Sequence, residues 1–445
     1  MNHALKAKEF LKDSEYAAWH DKALWYVRQK RDSATSKVQE WESLREIAKE
    51  IKKHTIEHLG YYLKEFEKNA KSNGVNVYWA KDANEHNKIV EQILKKERAK
   101  SIVKSKSMLT EECGLNSYLE DRGYEITDTD LGERIVQLRG DTPSHIVLPA
   151  IHLKKEQIGK LFEEKLNSKK GNFDPTYLTS VAREDLRKKF LNADIAITGA
   201  NFAVASSGAV VVCTNEGNAD LGCSLAKSHI VSMGIEKVVP SYKELGIFTR
   251  LLARSATGQA ITTYTSHFLK PQNGKSMHII IVDNRRSELI KSNQVEALNC
   301  IRCGACMNTC PVYRRSGGHS YSYIIPGPIG SILGSFREPK ADGDLAYACS
   351  LCASCDNVCP VKIELHNQLY SFRKEFINSG YMPKRKRFFY NLSAKVLKDK
   401  RLFFIATKVY KFTYPLLKRF NLWGEGREIP KPAKESFKEW YEKQR

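Results

Sequence analysis

The spacing of apolar residues divides the chain. Up to about residue 70, Leu44, Ile47, Ile51 and Ile56 recur near helical spacing among Arg45, Glu46, Lys49, Glu50 and Lys52. That pattern predicts a helical N-terminal arm over 1–70 whose apolar stripe packs on a main domain. Past Asn73-Gly74 the period changes. Residues 75–79, 99–104, 124–127, 134–138 and 144–149 are short apolar or β-branched runs and predict strands. Residues 82–96 carry Ile89, Val90, Ile93 and Leu94 at helical spacing, Thr110-Glu111-Glu112 opens a further helix, and 154–166 and 175–191 are helical. Strands alternating with helices predict an α/β domain over 71–285 with a largely parallel sheet.

The densest apolar stretch, 193–213, predicts two or three buried strands joined by small-residue turns, and 279–283 predicts the last strand of the domain. Gly199, Gly208 and Gly217 each fall where a strand ends. Such turns are where α/β sheets take ligands. They are equally places where glycine only supplies turn geometry. No Gly-x-Gly-x-x-Gly run decides between the two.

Composition narrows the class. The 445 residues suffice for two or three domains, and 42% hydrophobic with 28% charged residues describes a folded protein. No run approaches the ~20 apolar residues of a membrane-spanning helix. Residues 1–18 lack the apolar core of a secretory signal, so a cytoplasmic protein is expected. The net charge is +21. Half of it lies in 384–420, where twelve Lys and Arg face only Asp399 and alternate with Phe388, Phe389, Tyr390, Phe403, Phe404 and Phe412. The segment 376–445 therefore reads as an element that docks an acidic partner or packs on its neighbour. Peripheral contact of 384–420 with an anionic membrane is the alternative. No zinc-finger, helix-turn-helix or RNP-like signature accompanies the charge, which argues against nucleic acid.

The chemistry is concentrated in the cysteines. Cys300-x-x-Cys303-x-x-Cys306-x-x-x-Cys310-Pro311 returns as Cys349-x-x-Cys352-x-x-Cys355-x-x-x-Cys359-Pro360. This is the bacterial ferredoxin ligand run, present twice. Three thiolates from one tight turn reach three irons of a cubane, and the fourth cysteine reaches across to the other cluster. The expected sites are therefore two [4Fe–4S] clusters with crossed ligands. Cys300, Cys303, Cys306 and Cys359 hold the first; Cys349, Cys352, Cys355 and Cys310 hold the second. Zinc is a weaker reading, because its sites use paired C-x-x-C motifs and a third cysteine at the next step is surplus. Disulfides are not expected in a long chain without an export signal. Cys113, Cys213 and Cys223 receive no role.

The 38 residues between Cys310 and Cys349 are long for a compact ferredoxin. They predict a mainly α-helical ferredoxin domain over 286–375. The insert's Gly317-Gly318-His319 and Pro326-Gly327-Pro328-Ile329-Gly330 predict irregular backbone whose free N–H groups bond cluster sulfurs. His319 is either a loop residue or a proton relay near a partner's active site. No catalytic triad, P-loop or flavin fingerprint is present, so no catalytic residue is assigned.

Several stretches resemble the lactate utilization domain: 104–108 (Lys-Ser-Lys-Ser-Met) with Thr110-Glu-Glu, 127–133, 141–152 (Asp-Thr-Pro-Ser-His-Ile-Val-Leu-Pro-Ala-Ile-His), 197–203, 214–218 and 233–240. The cysteine runs that follow resemble the iron–sulfur proteins of the three-component L-lactate oxidation system. The likeness spans about residues 20 to 430. It implies a ribose-5-phosphate isomerase/CoA-transferase-like sheet followed by the cluster domain. It also implies two partners, one small and cysteine-rich and the other built on a lactate utilization domain of its own. A respiratory electron acceptor and joint oxidation of L-lactate to pyruvate are implied with them. Electron transfer for another hydroxy acid, or a ligand-binding scaffold with structural clusters, are the alternatives. Two positions depart from the family pattern: Ser206-Ser207 replace a Glu-Thr pair, and Ala226 replaces a proline before Lys227-Ser228-His229.

Overall fold

Ten strands occur among the described residues of the computed structural model, which covers 3–382, 384–420 and 429–444. They are Asn76–Ala80 (β1), Ser101–Lys104 (β2), Glu125–Asp128 (β3), Ile195–Gly199 (β4), Phe202–Val204 (β5), Ala209–Thr214 (β6), Ser228–Gly234 (β7), Val238–Val239 (β8), Tyr264–Phe268 (β9) and Ser276–Val282 (β10). Six form a parallel sheet in the order β1-β10-β7-β4-β2-β3. Every residue of β4 and β7 is buried. That explains their unbroken apolar character, since helices cover both faces of such a sheet. Ile195, Ile197, Ile230 and Ile280 pack on one side with Val90, Leu94, Leu115 and Leu119 of the crossover helices. Ala196 packs on the other side with Leu186 and Phe190.

The chain leaves β2 toward β3 but leaves β4 toward β7, in opposite directions along the sheet. The carboxyl ends of β2 and β4 therefore flank a topological switch point, where α/β sheets open a crevice. A smaller sheet, β8-β5-β6-β9, stands beside it. Gly208 in the turn joining β5 and β6 has φ +75°, and a Cβ there would lie 2.2 Å from the Ala70 backbone nitrogen. This glycine serves turn geometry and close packing on the N-terminal helices, not a ligand.

Four expectations fail locally. Thr110-Glu111-Glu112 ends a helix and does not open one: the helix is Met108–Glu112, capped by Ser107, whose side chain accepts from Thr110 N–H. Residues 134–138 lie in the helix Leu131–Arg139, not a strand: the Asp130 side chain caps it by accepting from Glu133 N–H. Residues 144–149 are a tight loop. There His145 Nδ1 accepts from the N–H groups of Val147 and Leu148, and Ser144 N–H donates to the Pro149 carbonyl. The motif 326–330 is not irregular; it starts the buried helix Gly327–Arg337, with Pro328 in a first turn that needs no N–H from it.

The described residues up to Lys374 form one compact unit and those from Glu375 a second. The second contains the helices Lys384–Lys398, Lys400–Phe420 and Phe437–Gln444. Phe388, Phe389, Phe404 and Phe412 are exposed there. No helix among the described residues is long and apolar enough to cross a membrane.

One buried charge cluster pins the sheet near its switch point. Lys104, at the end of β2, is fully buried; its Nζ lies 2.7 Å from Asp128, 2.8 Å from Glu111 and 3.7 Å from Glu133. Burial disfavours the ammonium, but the three carboxyls outweigh it and raise its pKa. Removing the cation strands buried carboxylates. Lys104→Met is therefore expected to cost about 3–5 kcal/mol, read as a lower denaturant midpoint. An unchanged midpoint would mean the cluster contributes nothing.

Candidate metal centre

Both cysteine runs fold into the same turn. The residue two after the first cysteine has positive φ, Arg302 at 61° and Leu351 at 56°. So does the residue after the second cysteine, Gly304 at 76° and Ala353 at 57°. L-residues stay in this region only where their surroundings over-determine it. The turn aims amides inward: Arg302 N–H donates to Cys300 Sγ at 3.4 Å, and Leu351 N–H to Cys349 Sγ at 3.3 Å. A one-turn helix follows in each run, Ala305–Thr309 and Ser354–Val358. Beyond each fourth cysteine, Tyr313 N–H donates to Cys310 Sγ at 3.5 Å and Ile363 N–H to Cys359 Sγ at 3.4 Å.

The two runs interleave. Cys300, Cys303 and Cys306 line a small cavity together with Cys359 of the second run. Its wall is apolar, with Ile146, Ile329, Val361 and Ile363. Cys310 of the first run sits within electrostatic reach of Cys349, Cys352 and Cys355. Burial pushes the Cys310 thiol up to about 11 and Cys359 up to about 12. Thiols so placed ionise when a metal supplies the opposing charge. A soft donor set of sulfurs alone, an apolar surround and inward amides fit an iron–sulfur cluster.

The insert contributes directly. The backbone amide of Ile329, in the first turn of Gly327–Arg337, lies near the Cys306 sulfur and favours its thiolate. His319 Nε2–H donates to the Thr142 carbonyl at 2.7 Å, and its ring meets His152 edge-on at 4.6 Å. It thereby ties the insert to the loop 141–152 while remaining partly exposed.

The N-terminal helices clamp both runs. Arg45 Nε donates to the Cys359 carbonyl at 3.0 Å, and its Nη2 to the Asp356 carbonyl at 3.2 Å. Arg31 Nη2 donates to the Val358 carbonyl at 3.3 Å, and Arg28 to Thr309 Oγ1. The two cysteine groups differ in cover. Cys303, Cys306 and Cys359 are buried and Cys300 half-buried, whereas Cys352 is exposed.

A cavity of about 530 Å³ adjoins the first group. Ser107 past β2, Gly199 to Asn201 past β4, and Ser232 and Gly234 of β7 line it from the switch point. Arg302 and Cys303 line it from the first cysteine turn. Two charge networks reach it. In one, Arg286 lies 2.9 Å from Glu112 and 2.8 Å from Glu236. Burial opposes the Glu236 carboxylate, but Arg286, Lys237 and Arg302 hold its pKa down at about 2. In the other, Lys106 lies 2.9 Å from Asp130. Glu216 shares that wall with much of its side chain accessible, yet surrounding protein and the nearby Asp130 hold it up at about 7. Sequence reasoning did not single out these residues as a site. Glu112, Glu216 and Glu236 nevertheless lie inside the family-like stretches, which was the available signal. The departures at Ser206, Ser207 and Ala226 lie outside the cavity lining.

Residues 63–287 match the LUD domain family and residues 296–363 the 4Fe-4S dicluster domain. Lactate utilization protein B 1 of Bacillus mycoides is 42% identical over 435 residues, covering 94% of this chain and 90% of that protein. Lactate utilization protein B of Shouchella clausii is 41% identical over 433 residues, covering 93% and 91%. A crystal structure of a DUF162 family protein from Deinococcus radiodurans aligns with a TM-score of 0.29 at 11% identity, over 50% of this chain and 98% of that one.

The clamp is testable. Arg45→Ala removes charged donors from two carbonyls beside Cys359, each bond being worth about 1.5–3 kcal/mol. The variant should lose visible iron–sulfur absorbance in air faster than the parent. Equal rates would show that the helices do not secure the turn.

Proposed function

The chain belongs to the lactate utilization protein B family, and from that premise we propose that it is the electron-transfer iron–sulfur subunit of an L-lactate oxidation complex. Electrons released as L-lactate becomes pyruvate would pass through it to a respiratory acceptor. The observation that carries this reading is the interleaving of two four-cysteine groups beside a lactate utilization domain.

In this reading Cys300, Cys303, Cys306 and Cys359 ligate one [4Fe–4S] cluster, and Cys349, Cys352, Cys355 and Cys310 the other. Each cluster, when bound, takes up and releases one electron at a time. The protein's own groups set the conditions. The N–H groups of Arg302, Leu351, Tyr313 and Ile363 stabilise thiolate charge. Ile146, Val361 and Ile363 keep water from the first group. The exposed Cys352 marks the edge from which electrons reach a partner.

Two partners are proposed from the family: one small and cysteine-rich, the other with its own lactate utilization domain. The exposed basic and aromatic helices Lys384–Lys398 and Lys400–Phe420 suit an acidic partner surface. In this reading the chain acts as part of an oxidoreductase system.

Two measurements check the proposal. In anaerobically purified complex, Cys303→Ser and Cys352→Ser should each abolish lactate-driven reduction of the acceptor; undiminished turnover refutes electron transfer. The crossed ligation predicts pairing of electron paramagnetic resonance signals. Cys359→Ser should remove the same signal as Cys303→Ser, and Cys310→Ser the same one as Cys352→Ser. The opposite pairing would assign each cluster to a single run.

A further inference from the structure

The large cavity beside Cys303 contains cations that the fold leaves without a full complement of partners. Arg302 is the clearest. Its backbone is fixed in the cysteine turn at φ 61°, with its N–H on Cys300 Sγ. Its side chain is only 12% exposed and lines the cavity. Its Nη2 stands 3.9 Å from both Glu112 and Glu236, beyond hydrogen-bond distance. Its Nη1 is buried without any hydrogen-bond partner. Lys237 also lines the cavity and makes no hydrogen bond or salt bridge among the described residues. The carboxylates of Glu112 and Glu236 are already engaged by Arg286 at 2.9 and 2.8 Å. A buried guanidinium with an unused donor is costly unless an acceptor completes it.

Polar side chains also line the cavity. Ser107, Asn201 and Ser232 line the same cavity at the strand ends, at the switch point where α/β sheets bind ligands. Guanidinium and ammonium groups are matched by a carboxylate, and hydroxyl or amide groups by an adjacent hydroxyl or carbonyl oxygen. We propose that this cavity binds a small 2-hydroxy or 2-oxo carboxylate, with Arg302 and Lys237 holding its carboxylate beside the first cysteine turn. The 2-oxygen part of the assignment rests on the lactate reading above; the carboxylate part rests on the geometry. The cavity exceeds a three-carbon acid several-fold, so the charge and the polar groups that meet the 2-oxygen, and not size, make the selection. The arrangement would put an organic acid and the buried cysteine group on opposite sides of one residue pair, Arg302-Cys303.

The test is calorimetric titration of anaerobically purified full chain carrying its clusters. The probes are pyruvate, L-lactate, acetate and inorganic sulfate. Pyruvate or L-lactate should bind one per chain, and acetate and sulfate at least about tenfold more weakly. Lys237→Met should weaken binding by about tenfold or more, the loss expected for one charge-assisted contact, at unchanged iron content. Lys237→Arg should restore it. Lys227→Met, an exposed lysine outside the cavity, should change nothing. Absence of carboxylate binding overturns the proposal, and so does sulfate binding as tightly as pyruvate. It also fails if Lys237→Met shifts only the midpoint potential of a cluster, since the cations would then serve cluster charge alone. The titration reads heat of binding and not turnover. A failure of the electron-transfer reading in cluster-ligand variants would therefore leave its result standing.

Discussion

The two cysteine runs interleave: Cys359 lines a small cavity with Cys300, Cys303 and Cys306, while Cys310 lies near Cys349, Cys352 and Cys355. Because residues of both runs meet, the relative position of the two turns is the constraint that the surrounding structure serves. Three arginines from the N-terminal helices fix carbonyl and hydroxyl oxygens at both turns. The insert helix brings the Ile329 amide near Cys306. The symmetry of the two turns, down to paired residues at positive φ, shows one local solution used twice. What differs is cover: one group is walled by isoleucine and valine, the other reaches the surface.

The cluster domain is also bound to the α/β sheet through charge. Glu112, just past β2, contacts Arg286 at 2.9 Å, Arg337 at 3.4 Å and Arg302 at 3.9 Å. Glu236, just past β7, adds a second acid to the same set. Buried ion pairs contribute little to net stability, because desolvation offsets attraction. Their value is positional. They hold the end of the sheet and the first cysteine turn in one register, and that register creates the shared cavity.

Much of this was legible beforehand, and the reasons differ by element. The cysteine runs were legible because iron–sulfur ligation fixes spacing. Strands β1, β2, β3, β4 and β10 were legible because short apolar runs stood between clear helical periods. Residues 134–138 misled because Ile135 and Val136 favour strands locally; the deciding signal was the cap at Asp130, four residues upstream of Arg134. Residues 144–149 misled because a histidine side chain, not a neighbouring strand, satisfies the backbone there. The arginines of the N-terminal helices carried no signal of their own in the helical pattern. Their targets are carbonyls some 300 positions away in sequence, which no local pattern reveals. Arg302 was hidden inside the cysteine spacing itself.

The exposure of Cys352 has a cost of its own. A sulfur open to water is open to dioxygen and peroxide, and thiolate sulfur oxidises most readily where it is accessible. A surface that let an electron leave would also let an oxidant enter. A protein docked over that edge would act as a shutter as well as a conductor. Chains synthesised in excess of their partners would then be the ones to suffer damage, starting at the outer site, so balanced production of the components would be a form of antioxidant protection.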